Sequence, residues 1–213
     1  MRAVQPEGTR GSLMWLQRAI ETRSDLLLPP RVSEIEWRSP LRSDEFAEYR
    51  DAAFLKRLEL DHLADALETF WPRRGPQWDA LGKAGDKVFL VEAKAHVGEF
   101  LSPPSKASDA SLRKIDAAFE RVRTDIGAWN STRWSEVLFQ YANRIAHLWF
   151  LRENGVDARL VFVSFINDRE MDGPASEAVW AAAFDVADHA LGLSPGHKLK
   201  PFIHHVHPDV RLI

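Results

Sequence analysis

The chain has 213 residues, of which 45% are hydrophobic and 28% are charged, a balance that is ordinary for a globular protein with a sizeable core. It contains no cysteine, which excludes disulfide bonds and zinc sites that need thiolates. The net charge of −3 excludes a uniformly basic surface that would attract nucleic acid over the whole molecule.

The length favours a single domain over residues 1–213. Residues 1–21 are too polar for the apolar segment of a signal peptide, and no apolar run approaches the roughly 20 residues that span a bilayer. We therefore expect a soluble, cytoplasmic protein without membrane contact.

The first part of the chain is predicted to be mainly helical. Residues 1–10 show no regular pattern and are expected to be loose, whereas residues 12–22 predict a capped amphipathic helix. A short extended segment over residues 32–40 follows. Ser43 is predicted to cap the first core helix, and residues 61–70 have the apolar spacing of a second helix.

A β-hairpin is predicted next, because a turn that contains glycine separates two strand-like runs. With the turn centred on residues 84–85, Asp79 lies opposite Leu90. Side chains alternate along a strand, so Asp79 then shares a face with Glu92 and Lys94. A turn of odd length would place Asp79 on the other face.

The remaining chain alternates helices with strands. Helices are predicted over residues 111–126, 134–153 and 176–191. The run at 158–166 is apolar enough to be a strand buried on both faces, and the helix before it favours parallel pairing with the hairpin. The tail from Pro201 is expected to add an edge strand. This order predicts an α/β fold with a mixed sheet.

Asp79, Glu92 and Lys94 form the cluster that carries chemistry. Two carboxylates make a small oxygen site suited to Mg²⁺, and the Ala93 carbonyl can add a ligand. The ammonium can orient a water molecule or offset charge on a phosphate. The alternative is a solvated strand face with a surface ion pair worth ~0.2–1 kcal/mol. The apolar strand before Glu92 favours a site, because open α/β sheets bind ligands at strand ends.

The segments Trp-Asp at residues 78–79 and Val-Glu-Ala-Lys at residues 91–94 resemble the D…(D/E)-X-K motif of the restriction-endonuclease-like, or PD-(D/E)XK, superfamily. The helix, hairpin, helix and strand over about residues 43–166 also resemble its common core, with additions at both ends. Trp78 stands where that superfamily usually has proline. The resemblance implies a central mixed β-sheet flanked by helices, and metal-dependent phosphodiester hydrolysis.

By this resemblance, Asp79 and Glu92 bind Mg²⁺, or Mn²⁺ as a substitute, and Lys94 assists hydrolysis. Many such sites use a further acidic residue from the first core helix. Glu48 is the candidate, with Glu59 and Glu68 as alternatives; each of them can equally lie on a solvated helix face.

Polar residues elsewhere are candidates for phosphate contacts. On the long predicted helix, Gln140, Arg144 and His147 form a polar stripe, from which Gln140 or Arg144 can reach the site; ordinary exposed residues are the alternative. Basic residues also flank the hairpin, at Arg73, Arg74, Lys83 and Lys87.

The leading hypothesis is a Mg²⁺-dependent nuclease, with DNA as the expected substrate and RNA as the open alternative. Many nucleases of this type act as dimers, so the resemblance also makes a homodimer an expectation. A second hypothesis is a nucleic-acid-binding or accessory module on the same fold with weak or lost catalysis, which the negative net charge favours. A third is an α/β protein in which the three charged residues are incidental.

Overall fold

The computed structural model describes all 213 residues as an α/β fold with seven strands and six helices. The strands are β1 (Arg2–Ala3), β2 (Glu36–Ser39), β3 (Glu48–Tyr49), β4 (Ala80–Ala84), β5 (Lys87–Lys94), β6 (Ala158–Ser164) and β7 (Ile203–Val206). The helices are α1 (Gly11–Thr22), α2 (Ala52–Arg57), α3 (Ala64–Phe70), α4 (Asp109–Ile126), α5 (Phe139–Glu153) and α6 (Glu177–Leu191). None of these helices combines the length and the apolar character needed to cross a membrane.

The main sheet has five strands in the order β2-β4-β5-β6-β7. Strands β2, β4 and β5 pair antiparallel, whereas β5, β6 and β7 pair parallel. The predictions of a mixed sheet, of parallel pairing between the hairpin and β6, and of an edge strand near the C-terminus are confirmed. Strand β5 lies in the centre, paired with β4 over residues 87–91 on one side and with β6 over residues 88–94 on the other.

Both faces of the sheet are covered, and β5 alternates between them. Val88 and Leu90 pack into the larger hydrophobic core with residues of α4 and α5, while Phe89 and Val91 pack into a smaller core with α1. Because the side chains of a strand alternate, Glu92 lies on the face of the larger core.

The turn of the hairpin lies one residue later than predicted. Its two residues are Gly85 and Asp86, and Gly85 has a φ of +60°, which glycine adopts without steric cost. In the predicted register Asp79 lies opposite Leu90, whereas in the observed register it lies beside Glu92, two residues further along β5. Because the difference is even, Asp79 remains on the predicted side of the hairpin.

The prediction of a helix from Ser43 is wrong. The chain forms a short 3₁₀ turn at Arg42–Asp44 and then enters β3. Glu45 and Phe46 have φ values of 53° and 49°, and an α-helix cannot continue through this left-handed region. Glu48 therefore lies on a strand rather than on the first core helix.

The N-terminal residues are ordered, contrary to prediction. Strand β1 pairs antiparallel with β3, and the Met1 amine donates a hydrogen bond to the Arg50 carbonyl. Segments before residue 43 also add to the sheet and its packing, since β2 pairs with β4 and α1 packs on β5. A pairing between segments so distant in sequence leaves no periodic pattern in either of them.

Helix α5 begins at Phe139, five residues later than the predicted start at Trp134. Leu138 has a φ of 49°, which prevents the helix from extending toward the N-terminus. At the other end, α5 stops before Gly155, whose φ of 79° agrees with the predicted left-handed stop.

Candidate active site

Glu92 and Lys94 lie at the carboxyl end of β5, beneath α5. Their exposed fractions are only 2% and 8%, and the Lys94 ammonium contacts the Oε1 atom of Glu92. The alternative of a solvated strand face is therefore wrong. A buried charged pair needs partners that compensate both charges, because desolvation of each ion is costly.

Asp79 stands at the entry to β4 and reaches across to β5. Its Oδ2 atom accepts a hydrogen bond of 2.7 Å from the backbone N–H of Ala93. The N–H and C=O groups of a strand residue point toward the same neighbouring strand. The Ala93 carbonyl therefore points to the side of β5 on which the Asp79 carboxylate lies. From this side the carbonyl was expected to serve as a metal ligand.

Arg144 on α5 is the principal partner of Glu92. Its Nε and Nη2 atoms lie 2.6 and 2.5 Å from the Oε2 atom of Glu92, and Nη2 also donates to the Gln77 carbonyl at 2.8 Å. The guanidinium lies 4.8 Å from the centre of the Trp78 ring. Both carboxylate oxygens of Glu92 thus face a cation, Lys94 on one side and Arg144 on the other.

Glu48 is the upstream carboxylate that the structure brings to the site. It is buried on β3, accepts hydrogen bonds from the side chains of Gln5 and Gln77, and lines the same cleft as Asp79. The alternatives, Glu59 and Glu68, lie at exposed positions and pair with Lys83 and Arg73, respectively.

An open cleft of about 510 Å³ leads from the surface to Glu48, Asp79 and Arg144. Its walls include Glu48, Asp79, Arg144 and Gln140, so Gln140 lies at the site as predicted. The rest of the predicted polar stripe is not exposed, because Arg144 and His147 are both buried.

Two of the predicted phosphate contacts are distant from the site. Lys83 and Lys87 lie at the turn end of the hairpin, whereas Lys94 is at its other end. At a rise of about 3.3 Å per residue, the length of β5 separates Lys87 from Lys94 by roughly 23 Å. Lys83 and Lys87 are therefore too far from Lys94 to contact the same phosphate group.

Sequence patterns missed the Arg144 contact with Glu92. The signal that could have indicated it is an arginine inside an otherwise continuous buried segment, since residues 141–151 of α5 are all buried. A buried arginine needs an anionic partner, and Glu92 is the carboxylate on the facing strand.

The electrostatics separate the carboxylates into two kinds. Burial, followed by the nearby Glu92 charge, holds the pKa of Asp79 well above its usual range. Burial likewise raises the pKa of Glu48. Burial opposes the charge of Glu92 as well, but Arg144 and Lys94 outweigh it and lower the Glu92 pKa.

Lys94 keeps its charge in this environment. Burial alone would lower its pKa, but the carboxylates of Glu92 and Asp79 outweigh that effect and raise the pKa. The ammonium is therefore protonated at neutral pH, so it can donate hydrogen bonds but cannot act as a base.

Replacing Asp79 with asparagine should stabilise the fold at pH 7 in EDTA. A raised folded-state pKa means that the stability linked to Asp79 is complete below the unfolded value, near 3.8, and is lost as the pH rises through the folded value. The gain from Asp79→Asn should therefore be largest at neutral pH and vanish on acidification. Urea unfolding across pH measures this difference; a variant that is less stable at pH 7 would contradict it.

Mg²⁺ was the expected cofactor, and the donor atoms fit it in part. No group of three or more His, Cys, Asp or Glu side chains is arranged to hold a metal ion. Mg²⁺ needs only one or two protein carboxylates, because it keeps several waters. Neither Asp79 nor Glu48 forms an ion pair. Burial raises the pKa of both carboxyl groups, and a bound cation would favour their charged forms. Glu92, by contrast, has both oxygens engaged.

Comparison with protein-family models, with curated protein sequences and with solved structures gives no match. Inference about function therefore depends on the site and on the topology around it.

Proposed function

We propose that this chain is a Mg²⁺-dependent nuclease that hydrolyses phosphodiester bonds in DNA on a restriction-endonuclease-like core. The observation that carries the proposal is the meeting of Asp79, Glu92 and Lys94 at the carboxyl end of the central strand, beside an open cleft. The order of an antiparallel hairpin, the helices α4 and α5, and a parallel strand supports the same assignment.

Asp79 and the Ala93 carbonyl would hold the metal, and Glu48, which lines the same cleft as Asp79, would share in binding or orient a water. When bound, Mg²⁺ supplies a Lewis acid that polarises a phosphoryl oxygen and makes water easier to deprotonate. The Lys94 ammonium donates a hydrogen bond that orients the attacking water, and it offsets negative charge as the phosphorane-like transition state develops.

Glu92 has a conditional role in this scheme. Both of its oxygens contact a cation, so a metal at Glu92 would compete with Lys94 or Arg144 for the carboxylate. With both cations in place, Glu92 fixes the Lys94 ammonium at the end of β5.

The proposal is tested by incubating single- and double-stranded DNA and RNA with the protein in Mg²⁺, Mn²⁺ or EDTA. We expect cleavage of DNA that requires the metal and is absent from Asp79→Asn. Calorimetric titration with Mg²⁺ should show binding to the wild type and much weaker binding to this variant. Cleavage that persists in EDTA, or metal binding that is equal in both proteins, would contradict the proposal.

A nucleic-acid-binding module without catalysis is the second candidate. The observation that favours it is that both oxygens of Glu92 already contact a cation, which leaves one fewer free carboxylate for a metal. This candidate predicts oligonucleotide binding without cleavage in any metal.

A further inference from the structure

The active-site cleft continues into a second cleft of about 600 Å³. The two share lining residues, namely Ser105, Lys106, Phe139 and Asn143. Residues 71–76 form one wall of the second cleft, residues 105–108 with the start of α4 form the other, and α5 forms the floor. We call this second cleft the basic arm, because Arg73, Arg74 and Lys106 line it.

The two clefts differ in the charges of their lining residues. Arg73, Arg74 and Lys106 line the basic arm, and no aspartate or glutamate does, whereas the active-site cleft is lined by Glu48 and Asp79 as well as by Lys106 and Arg144. The side chains of Arg74 and Lys106 form no ion pair. Arg73 pairs with Glu68 at 3.1 Å, but its side chain is 84% exposed, so water competes strongly for this contact.

Prolines stiffen both walls. Pro72 and Pro76 lie in one wall, and Pro103 and Pro104 precede the other. Because the proline ring fixes φ, these segments lose less conformational entropy when a ligand binds. The cationic side chains are thus presented from backbone that is already restricted.

We propose that the basic arm binds the backbone phosphates of a single nucleic-acid strand, adjacent to the phosphodiester in the active-site cleft. This inference rests on the proposed function for the identity of its ligand. Charge complementarity supports the ligand, since three cations face a cleft without a carboxylate. Such contacts position a strand without selecting its sequence.

The size of the basic arm selects a single strand over a duplex. A volume of about 600 Å³ can hold a short stretch of one sugar-phosphate backbone, whereas a B-DNA duplex, whose major groove alone is about 12 Å wide, is too large to lie wholly inside the cleft. The substrate class that follows is single-stranded nucleic acid, or the unpaired end of a duplex.

The test measures oligonucleotide binding by fluorescence anisotropy in EDTA, which prevents cleavage, over a range of salt concentrations. The probes are a labelled single-stranded oligodeoxynucleotide and its blunt duplex. The variants are Arg74→Gln, Lys106→Gln and their combination; Lys87→Gln removes an equal charge at the far end of β5 and is the control.

We expect tighter binding of the single strand. Each cleft variant should reduce the slope of log K against log salt by about 0.7, and the double variant by about 1.4, while Lys87→Gln leaves the slope unchanged. Equal slopes in wild type and the double variant, or no binding by wild type, would overturn the basic arm. Tighter duplex binding would overturn the single-strand assignment. Failure of the proposed function looks different: the slopes fall as expected, but no metal supports cleavage.

Discussion

Replacing Lys94 with alanine is expected to lower the rate of metal-dependent cleavage by about 10²- to 10³-fold, the usual effect of removing one preorganised donor from a transition state. Lys94 is the cation at the end of β5 that is fixed by Glu92 and adjoins Asp79. Lys94→Arg should not restore the rate, because the wide planar guanidinium cannot occupy the place of a compact ammonium. Single-turnover cleavage of a labelled oligonucleotide measures both variants.

Lys87→Ala is the matched control, since it removes a lysine from the exposed end of the same strand. It should cleave at the wild-type rate. Unfolding in urea establishes that Lys94→Ala remains folded, as expected because Arg144 still compensates the Glu92 charge. Equal cleavage by wild type and Lys94→Ala would show that the activity comes from another site or from another protein.

Replacing Arg144 with methionine is expected to destabilise the fold by about 3–5 kcal/mol, the cost of removing one partner from a buried ion pair. The side chains of Arg144 and Glu92 have exposed fractions of 4% and 2%, so solvent cannot replace the guanidinium. The loss should appear as a lower urea midpoint. Adding Glu92→Gln to the same chain should recover part of it, because the uncompensated charge is then absent.

Arg133→Met is the comparison on the surface. Arg133 pairs with Asp116 and Glu136, and more than a third of each of these side chains is exposed. Its loss should change stability by less than about 1 kcal/mol. If the two arginine variants lost equally little, Arg144 could not be the group that stabilises the Glu92 charge.

The Arg144 variant also distinguishes the two roles of Glu92. Without the guanidinium, the Oε2 atom of Glu92 loses its partner and becomes available to a cation. Mg²⁺ should therefore raise the melting temperature of Arg144→Met more than that of the wild type, since a ligand of the folded state stabilises it. Equal shifts would show that the metal binds without Glu92.

Local patterns in the sequence determined the sheet and most of the site. Alternation along residues 87–94 placed Glu92 and Lys94 on one face, and glycine in the turn predicted the hairpin. The apolar run at 158–166 predicted a buried strand that pairs parallel with the hairpin. These inferences succeeded because side-chain period, turn chemistry and strand hydrophobicity are properties of short segments.

Only the tertiary structure decided which residue of β5 lies beside Asp79. It also decided that Glu48 lies on a strand and that Arg144 is the partner of Glu92. A one-residue shift of the turn moves the hairpin register by two, and the alternation of side chains is the same in both registers. Strand β3 exists because β1 pairs with it, a contact between segments more than 40 residues apart. Arg144 reaches Glu92 because α5 packs on β5. A buried charge is compensated by a partner that is near in space. The spacing of residues along the chain does not show which residue that partner is.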